Sequence, residues 1–357
     1  MEIKIRSGFL ITLLALAVIP MTASGQQLRD AFRKVNQSVV TVRTKRVDLA
    51  PVRGQVMSII DGVGSGVLIS NDGKVLTAAH VVQTADAALV EFSDGQDSIA
   101  RVIASDVRSD VALLQLQQPP KGITPATLGD SDKVDVGDQI FVIGAPYGIS
   151  QTLTAGHLSG RRQINKEGET QKYIELLQTD AAVNGGNSGS PMFDMNGQVV
   201  GIVSTIMSQS GGSEGLAFAT ASNTARRFLL DRKPFWSGID GVLVTGDLAK
   251  ALNLPQPAGF LVQRIGEGSV GSRLHINGGT MRVTIQGTDL LLGGDIILSV
   301  NDIDVTAPTM TDSFALAAGD SYDHTVNTIA SLKNGDQLVL KVLREGKIVK
   351  LTTTIEP

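Results

Sequence analysis

Three polar residues of the chain, His80, Asp110 and Ser188, have local sequence contexts that are suitable for catalysis. His80 ends a β-like run and has small alanines beside it, which leave room for a substrate next to the imidazole. Asp110 precedes an apolar run, where a partly buried carboxylate needs a donor such as a histidine N–H. Taken alone, Asp110 is better explained as a turn residue that caps a strand. Together, the three side chains can activate a serine hydroxyl for attack on a carbonyl carbon.

The loop around Ser188 also contains the glycines that an oxyanion site requires. It reads Asn-Gly-Gly-Asn-Ser-Gly-Ser-Pro over residues 184–191, and its glycines let backbone N–H groups point inward without a Cβ clash. The expected donors are the N–H groups of Gly186 and Ser188. A plain glycine–serine turn is the alternative. The strand-like run Val199–Val203 disfavours the strand–turn–helix of α/β-hydrolases, and the chain order His, Asp, Ser is that of chymotrypsin-type enzymes.

Short strand-like runs must position these residues. The runs recur from residue 39 to residue 203, separated by Gly, Asn and Asp, and 39 of the 357 residues are glycine. This texture predicts a mainly β domain, a barrel or a sandwich, for residues 26–232. Helical spacing predicts a short helix at Leu28–Val35 before the first strand. A smaller block of mixed α and β structure follows at residues 236–357, with a helix expected at Asp323–Leu332.

The first 25 residues have the pattern of a secretory signal peptide. Lys4 and Arg6 precede an apolar run from Phe9 to Ile19, and small residues follow it. We therefore expect a periplasmic or secreted protein whose mature chain starts near Gln26. The alternative is an uncleaved segment that anchors the protein in a membrane, although the run is short for a span of about 20 residues.

The composition excludes several other classes of function. The chain has no cysteine, which rules out disulfides, thiolate zinc sites and a cysteine nucleophile. Its formal net charge of −4 provides no basic field for nucleic acid. The four histidines lack the His-Glu-x-x-His spacing of a metalloprotease, so neither a metal nor another cofactor is expected.

Three windows of the sequence resemble, in the same order, the motifs of the HtrA (Deg) family of exported serine proteases. The windows are residues 64–82, 109–114 and 178–191. The resemblance implies a chymotrypsin-like double β-barrel at residues 26–232. It also implies that His80 acts as general base and then as general acid, that Asp110 orients His80, and that Ser188 is the nucleophile.

Two positions depart from the family pattern. Ser190 stands where the family usually has glycine, and its side chain could narrow the oxyanion loop. His157 stands where the family usually has a branched aliphatic residue. We interpret His157 as a packing residue rather than as a second base.

The expected substrate pocket is apolar. Chymotrypsin-like proteases place the residue at the pocket floor six positions before the serine, which is Ala182 here, so no acid attracts lysine or arginine. The candidate walls are Ile202, Ala217 and Phe218. The resemblance therefore predicts cleavage after small or medium aliphatic residues such as Val, Ala or Leu.

The block of residues 236–357 resembles a PDZ domain, the usual companion domain in this family. Its carboxylate-binding loop would consist of Trp236, Ser237, Gly238 and Ile239. Backbone N–H groups of this loop would hold the C-terminus of a peptide, which would add as a strand beside the helix Asp323–Leu332. Residues 279–293 are an insertion and predict an extra hairpin. The alternative is a PDZ fold with a blocked or unused groove.

These features together predict an exported, ATP-independent serine endoprotease that acts on misfolded or exposed polypeptides. Loops at residues 161–172 and 204–214 are candidates for a switch that peptide binding at the PDZ domain biases, and the resemblance implies a homotrimer. Two other functions compete. One is a peptide-binding chaperone or scaffold whose protease is idle, and the other is a membrane-anchored protease that cuts one signalling substrate and keeps its N-terminal segment.

Overall fold

A computed structural model of the chain describes residues 24–49, 57–164, 174–208, 212–285, 287–306 and 335–355. Residues 1–23 of the expected signal peptide, residues 165–172 and 209–211 of the two candidate switch loops, and the expected helix Asp323–Leu332 lie outside this part of the chain. Helix α1 (Ser24–Val35) covers the predicted Leu28–Val35 and begins earlier. Among the described residues, no helix is long and apolar enough to cross a membrane.

Six antiparallel strands close into a first barrel in the order β1-β2-β3-β6-β5-β4. The strands are β1 (Val39–Leu49), β2 (Met57–Leu68), β3 (Lys74–Thr77), β4 (Ala87–Phe92), β5 (Asp97–Asp106) and β6 (Val111–Leu116). Exposed and buried residues alternate in the first half of β5, because successive side chains of a strand point to opposite faces. The short helix α2 (Ala79–Val82) follows β3 after one intervening residue, Ala78.

A second barrel follows along the chain. Its strands are β7 (Thr127–Leu128), β8 (Gln139–Gly144), β9 (Thr152–Ile164), β10 (Ile174–Thr179), β11 (Pro191–Asp194), β12 (Gln198–Ile206) and β13 (Ala217–Ala221). The sheet closes because β11 pairs with both β8 and β12, and β7 is added to β12. Helix α3 (Ser222–Ala225) continues as a wider helical turn over Arg226–Leu230. The predicted mainly β fold with two barrels is confirmed.

An apolar layer joins the two barrels, and we call it the inter-barrel layer. It contains Val67 and Leu76 from the first barrel, Phe141 and Phe193 from the second, and the buried face of α1. The rings of Phe141 and Phe193 stack with their centroids 5.1 Å apart. Because burial of such side chains is the main driving force for packing, this layer fixes the cleft where the ends of the two barrels meet.

The C-terminal part forms a third, strand-rich region. Its strands are β14 (Ile239–Thr245), β15 (Ala258–Ile265), β16 (Met281–Ile285), β17 (Thr288–Leu292), β18 (Ile296–Val300), β19 (Ile303–Asp304), β20 (Gln337–Arg344) and β21 (Lys347–Thr354), with helices α4 (Gly246–Ala251) and α5 (Val270–Arg273). The main sheet has the order β14-β15-β18-β20-β21. Strands β16 and β17 pair only with each other, which confirms the predicted hairpin within residues 279–293.

Candidate active site

His80 and Asp110 lie at the same end of the first barrel, and their side chains meet. Strands β3 and β6 pair with Thr77 opposite Ala112, so His80, three residues after the end of β3, comes close to Asp110, which precedes β6. The two carboxylate oxygens of Asp110 lie 2.8 Å and 3.0 Å from Nδ1 of His80, and the backbone N–H of His80 donates to Oδ1 at 2.9 Å. A carboxylate at Nδ1 keeps the ring proton there and leaves Nε2 as the basic nitrogen.

A tight turn aims the Asp110 carboxylate at the ring. Asp110 has a left-handed backbone with φ of +50°, a conformation that aspartate tolerates better than most residues. Its N–H donates to the Val107 carbonyl at 3.3 Å. The buried Asp106 carboxylate accepts hydrogen bonds from the N–H and the hydroxyl of Ser109, both at 2.9 Å. Hydrogen bonds within the turn therefore hold it without any contribution from His80.

Ser204 is a further partner of Asp110 that the sequence analysis did not identify. Its hydroxyl donates to Oδ2 of Asp110 at 2.6 Å, across a sequence separation of 94 residues. Ser204 lies in β12 of the second barrel, so both barrels contribute to the network around the carboxylate. A hydrogen bond to an ionised carboxylate is stronger than one between neutral groups. The only local sign of this role in the sequence was the position of Ser204, a polar residue near the end of an apolar strand.

The surroundings of His80 change its basicity. Burial of the ring, the largest single influence, lowers the pKa of His80, but the hydrogen bond and the charge of Asp110 together outweigh it and raise the pKa above the ordinary 6.5. The side chain remains 51% exposed, so the ring is accessible from the cleft.

We expect kcat/KM for peptide hydrolysis to fall at acid pH along a limb that His80 determines. Only the neutral imidazole can accept the serine proton, and because the pKa of His80 is raised, activity is lost as the pH falls through a value above 6.5. The measurement is kcat/KM of a chromogenic peptide from about pH 5 to about pH 9. Circular dichroism at each pH separates unfolding from titration. A limb centred below the ordinary pKa of histidine would contradict this assignment.

Hydrogen bonds to successive carbonyl groups hold the loop of residues 184–190 that carries Ser188. The bonds are Asn187 N–H to Asn184 O at 3.0 Å, Tyr147 N–H to Gly185 O at 2.9 Å, Ser65 Oγ–H to Gly186 O at 2.9 Å, Ser190 N–H to Asn187 O at 2.9 Å and Ser65 N–H to Ser188 O at 2.8 Å. By contrast, the N–H groups of Gly186 and Ser188 have no hydrogen-bond partner among the described residues. Two backbone donors are thus available for a developing oxyanion.

The loop requires glycine at position 186. Gly186 has a φ of +97°, and a Cβ there would overlap the carbonyl oxygen of Ala145. The C=O and N–H groups of a trans peptide point in opposite directions. Because the Gly185 carbonyl accepts from Tyr147, the N–H of Gly186 must point away from Tyr147.

Ser188 and His80 line one pocket of about 200 Å³. The remaining walls all come from the first barrel and from the segment that contains α2. They are Thr44, Gly62, Val63, Val81, Thr84 and Ala85. The structure therefore brings the predicted serine and histidine to the same cavity, with the carboxylate of Asp110 on the histidine.

The two departures from the family pattern have different surroundings. Ser190 is fully buried, and its hydroxyl has no hydrogen-bond partner among the described residues. His157 is exposed on β9, with 58% of its side chain accessible and Nδ1 3.8 Å from Asp180 Oδ2. The expected packing role of His157 is therefore wrong, because β9 directs this side chain to solvent.

The side chains predicted to line the substrate pocket do not lie side by side. Ile202 is buried in the inter-barrel layer, and Phe218 packs in a separate cluster that contains Ile174, Leu176 and Phe228. Ala217 faces the interior of the second barrel, and Ala182 is exposed. Side chains alternate along a strand, so Ala217 and Phe218 occupy opposite faces of β13. Ile202 and Phe218 thus form no common wall, which corrects that part of the prediction.

Two exposed apolar side chains lie next to the same strands. Met207 and Leu216 are 45% and 41% exposed, and the N–H of Met207 donates to the Leu216 carbonyl at 2.9 Å. They directly follow β12 and precede β13. Neither Met207 nor Leu216 was predicted from the sequence as a pocket wall, because a methionine and a leucine beside a polar loop carry no local mark of exposure.

The first half of the predicted carboxylate loop contacts the first barrel beside α2. The indole N–H of Trp236 donates to the backbone carbonyl of Gln83 at 3.0 Å. The Gln83 side chain donates to Ser237 Oγ at 3.0 Å and accepts from Ser105 Oγ at 2.7 Å. Gln83 comes three residues after His80, so this loop is linked to the segment that carries the candidate base.

The second half of that loop belongs to the C-terminal sheet. Gly238 has a φ of +63°, and its carbonyl accepts the N–H of Gly266 at 2.7 Å. Ile239 is buried and begins β14, whose only neighbour among the described strands is β15. One edge of β14 therefore carries backbone groups that a further strand could pair with.

Similarity to known sequences agrees with this arrangement. Residues 64–202 match the family described as the trypsin-like peptidase domain. The periplasmic pH-dependent serine endoprotease DegQ of Escherichia coli (strain K12) is 34% identical over 305 residues, which cover 83% of this chain and 60% of DegQ. A probable periplasmic serine endoprotease DegP-like of Pseudomonas putida (strain W619) is 33% identical over 309 residues, which cover 85% of this chain and 57% of the relative. The chain spans less than two thirds of the length of these relatives.

Solved structures extend the similarity to the C-terminal sheet. A variant of the HtrA-type protease AlgW with a decapeptide has a TM-score of 0.52 and 28% identity, and the match covers 92% of this chain and 96% of that one. AlgW with a tripeptide has a TM-score of 0.50 and 29% identity, with coverage of 92% and 96%. Two barrels of the trypsin-like type and this extended similarity lead to one conclusion: the chain belongs to the HtrA-type family of serine proteases.

Proposed function

We propose that this protein is an ATP-independent serine endopeptidase that degrades or processes misfolded or exposed polypeptides in the cell envelope. One observation carries the proposal. A single cleft contains an imidazole held by a carboxylate, a serine in the same pocket, and the unpartnered N–H groups of Gly186 and Ser188. General base, nucleophile and oxyanion donors are the parts that acyl transfer needs.

The geometry supports a specific sequence of proton transfers. Nε2 of His80 accepts the proton of the Ser188 hydroxyl while Oγ attacks the peptide carbonyl carbon. The N–H groups of Gly186 and Ser188 hold the negative oxygen that forms, and Asp110 stabilises the charged imidazole. His80 then returns the proton to the leaving amine. Water, deprotonated by the same nitrogen, hydrolyses the acyl-enzyme and restores Ser188.

A peptidyl phosphonate diester tests the proposal directly, because it reacts covalently only with an activated serine. We expect one label per chain, located on Ser188 by mass spectrometry, and no label on a His80→Ala variant. A chaperone or scaffold with an idle protease would bind peptides and remain unlabelled. That outcome would favour the competing function.

Exposed apolar side chains beside β12 and β13 support a preference for aliphatic residues before the scissile bond. We propose that Ala182 and the exposed Met207 and Leu216 lie around the side chain of that residue. The described residues at these positions carry no acid that would pair with lysine or arginine. A peptide-library scan that showed cleavage mainly after basic residues would contradict this preference.

The strand edge of β14 supports a role for peptides with free C-termini. The HtrA-type neighbours were solved with a decapeptide and a tripeptide, and we propose that here residues Trp236, Ser237, Gly238 and Ile239 hold the terminal carboxylate. The added peptide would extend the sheet beside β14. Because Gln83 touches this loop and follows α2, such a peptide can influence the segment of His80.

Peptides ending in an apolar residue are expected to change kcat/KM of the protease by about 5-fold or more, the lower end of typical couplings between two sites. The same peptides with an amidated C-terminus are the matched control, because they lack the carboxylate. The measurement is turnover at saturating peptide, with binding followed by fluorescence anisotropy. Peptides that bind without any change in turnover would contradict the coupling. A Gln83→Ala variant is expected to bind the peptide and to show a smaller change.

The organisation of the whole protein is also part of the proposal. We propose a signal peptide at residues 1–25, a protease domain at residues 26–232 and a PDZ domain at residues 236–357, in a periplasmic homotrimer. The relatives named periplasmic endoproteases support the location. The N-terminal sequence of the purified protein separates this reading from the membrane-anchored regulatory protease, which would retain residues 1–25.

A further inference from the structure

Ser65 in β2 is a fully buried serine whose polar groups all have partners at the candidate site or at the strand beside it. Its N–H donates to the Ser188 carbonyl at 2.8 Å, and its hydroxyl donates to the Gly186 carbonyl at 2.9 Å. The same hydroxyl accepts the N–H of Ala145 at 2.9 Å. Its carbonyl accepts the Thr77 hydroxyl at 2.7 Å. One residue of the first barrel therefore donates two hydrogen bonds to the loop of residues 184–190, which belongs to the second barrel.

These contacts determine where the two oxyanion donors point. The peptide plane between residues 186 and 187 lies between the donor N–H groups of Gly186 and Ser188. Among the described residues, the Ser65 hydroxyl supplies the only hydrogen bond to the Gly186 carbonyl. A glycine whose carbonyl is released can rotate over a wide range of φ and ψ, since it has no Cβ. Rotation about ψ of Gly186 would change the angle between the peptide that carries the Gly186 N–H and the segment that carries the Ser188 N–H, so the two donors would no longer point at one oxygen.

The second bond of the hydroxyl supports the preceding peptide, between residues 185 and 186, which carries the Gly186 N–H. Ala145 precedes the turn that carries Tyr147, whose N–H holds the Gly185 carbonyl. The hydroxyl of Ser65 thus joins the supporting turn to the loop that it supports. A residue without a hydroxyl at position 65 would leave both the Ala145 N–H and the Gly186 carbonyl without this buried partner.

We propose that Ser65 is a positioning residue that holds the two peptide groups on either side of Gly186 in the orientation required for oxyanion binding. This inference rests on the proposed peptidase function. Ser65 does not touch the reacting atoms. It acts through Gly186 and Ser188, so its effect must appear in the transition state and not in the binding of substrate.

A Ser65→Ala variant tests this role. We expect kcat to fall roughly 10- to 100-fold, which is less than the roughly 100- to 1000-fold loss caused by removing an oxyanion donor outright. We expect KM to stay within about threefold, because ground-state binding is not altered. The inhibition constant of a peptidyl boronate, whose tetrahedral adduct places an oxygen at the oxyanion site, should rise in parallel with the loss of kcat. The affinity for an uncleaved peptide, compared between Ser188→Ala and the Ser65→Ala/Ser188→Ala double variant, should not change.

Ser222→Ala is the matched control. Ser222 is also fully buried, and its hydroxyl donates to the Gly129 carbonyl at 2.9 Å, outside the candidate site. The Ser222→Ala variant should lose a similar amount of stability, while its kcat and its inhibition constant for the boronate stay unchanged. If Ser65→Ala does not fold, the Ser65→Cys variant tests the same role. Because a thiol is a weak hydrogen-bond donor, its kcat should still fall at least about fivefold.

The outcomes separate this inference from the proposed function. A parent protein that neither hydrolyses peptides nor binds the boronate would overturn the proposed function. An active parent whose Ser65 variants keep kcat and the boronate constant would overturn the role of Ser65 alone. Equal losses in kcat and in uncleaved-peptide affinity would also overturn it, because they would indicate general damage to the cleft.

Discussion

Replacing Ser188 by alanine is expected to lower kcat for casein and peptide hydrolysis by roughly a millionfold, the loss typical of removing the nucleophile of a serine–histidine–aspartate triad. The reason is chemical, because no other hydroxyl lines the pocket with His80 except those of Thr44 and Thr84. The fold should remain, since a hydroxyl that faces a solvent-accessible pocket contributes little to stability. Initial rates with a fluorogenic peptide, over several hours of incubation, measure the residual activity.

A neighbouring serine provides the control for this experiment. Ser190 lies two residues away in the same loop, and its buried hydroxyl has no partner among the described residues. We expect Ser190→Ala to keep turnover within about threefold and to unfold at a slightly higher temperature, because a buried unsatisfied hydroxyl costs about 1–3 kcal/mol. Equal digestion of casein by the parent and Ser188→Ala would remove the basis for the catalytic assignment.

Asp110→Asn is expected to lower kcat about 10,000-fold while the fold is retained. The carboxylate contacts Nδ1 of His80 at 2.8 Å and also accepts the backbone N–H of His80. An amide is close in shape but can present its N–H₂ group to the ring, which favours the wrong imidazole tautomer. It also cannot stabilise the imidazolium. Steady-state rates at several enzyme concentrations measure the loss.

The residual activity of Asp110→Asn carries a second signature. Because the hydrogen bond and the charge of Asp110 raise the pKa of His80, their removal should move the acid limb of kcat/KM to lower pH. Asp180→Asn is the matched control, since Asp180 lies beside the exposed His157 with a separation of 3.8 Å. It should keep both the rate and the pH profile. A similar loss in the two variants would point to stability rather than to chemistry at His80.

Local sequence was enough to predict the parts that lie within short stretches. Each candidate group stands in a contiguous window, and the windows retain their order along the chain. The glycines at 186 and 189 both adopt positive φ, as a loop with inward N–H groups requires. Strand periodicity and turn residues likewise predicted a mainly β domain and the extra hairpin, because both depend on neighbours a few residues apart. The resemblance to the HtrA family supplied the expectation of two barrels.

Contacts between distant segments were not predictable in this way. Ser204 is 94 residues from Asp110, the Ser65 hydroxyl bonds to a carbonyl 121 residues away, and the Trp236 indole bonds to a carbonyl 153 residues away. None of these serines or aromatic residues has a local pattern that differs from that of a structural residue. The packing of the two barrels around the inter-barrel layer brings Ser204 and Ser65 to the candidate site, and the packing of the C-terminal region against the first barrel brings Trp236 to Gln83.

The substrate pocket illustrates the same limit in apolar residues. An alternating strand shows which residues share a face, but not which face a barrel turns inward. Ile202 and Phe218 are apolar residues of β12 and β13, yet packing buries them in separate clusters. Met207 and Leu216, next to the same strands, remain exposed. The sequence by itself determined the reactive groups and their order. The tertiary structure decided which side chains support them and which remain open to a substrate, because burial depends on long-range packing.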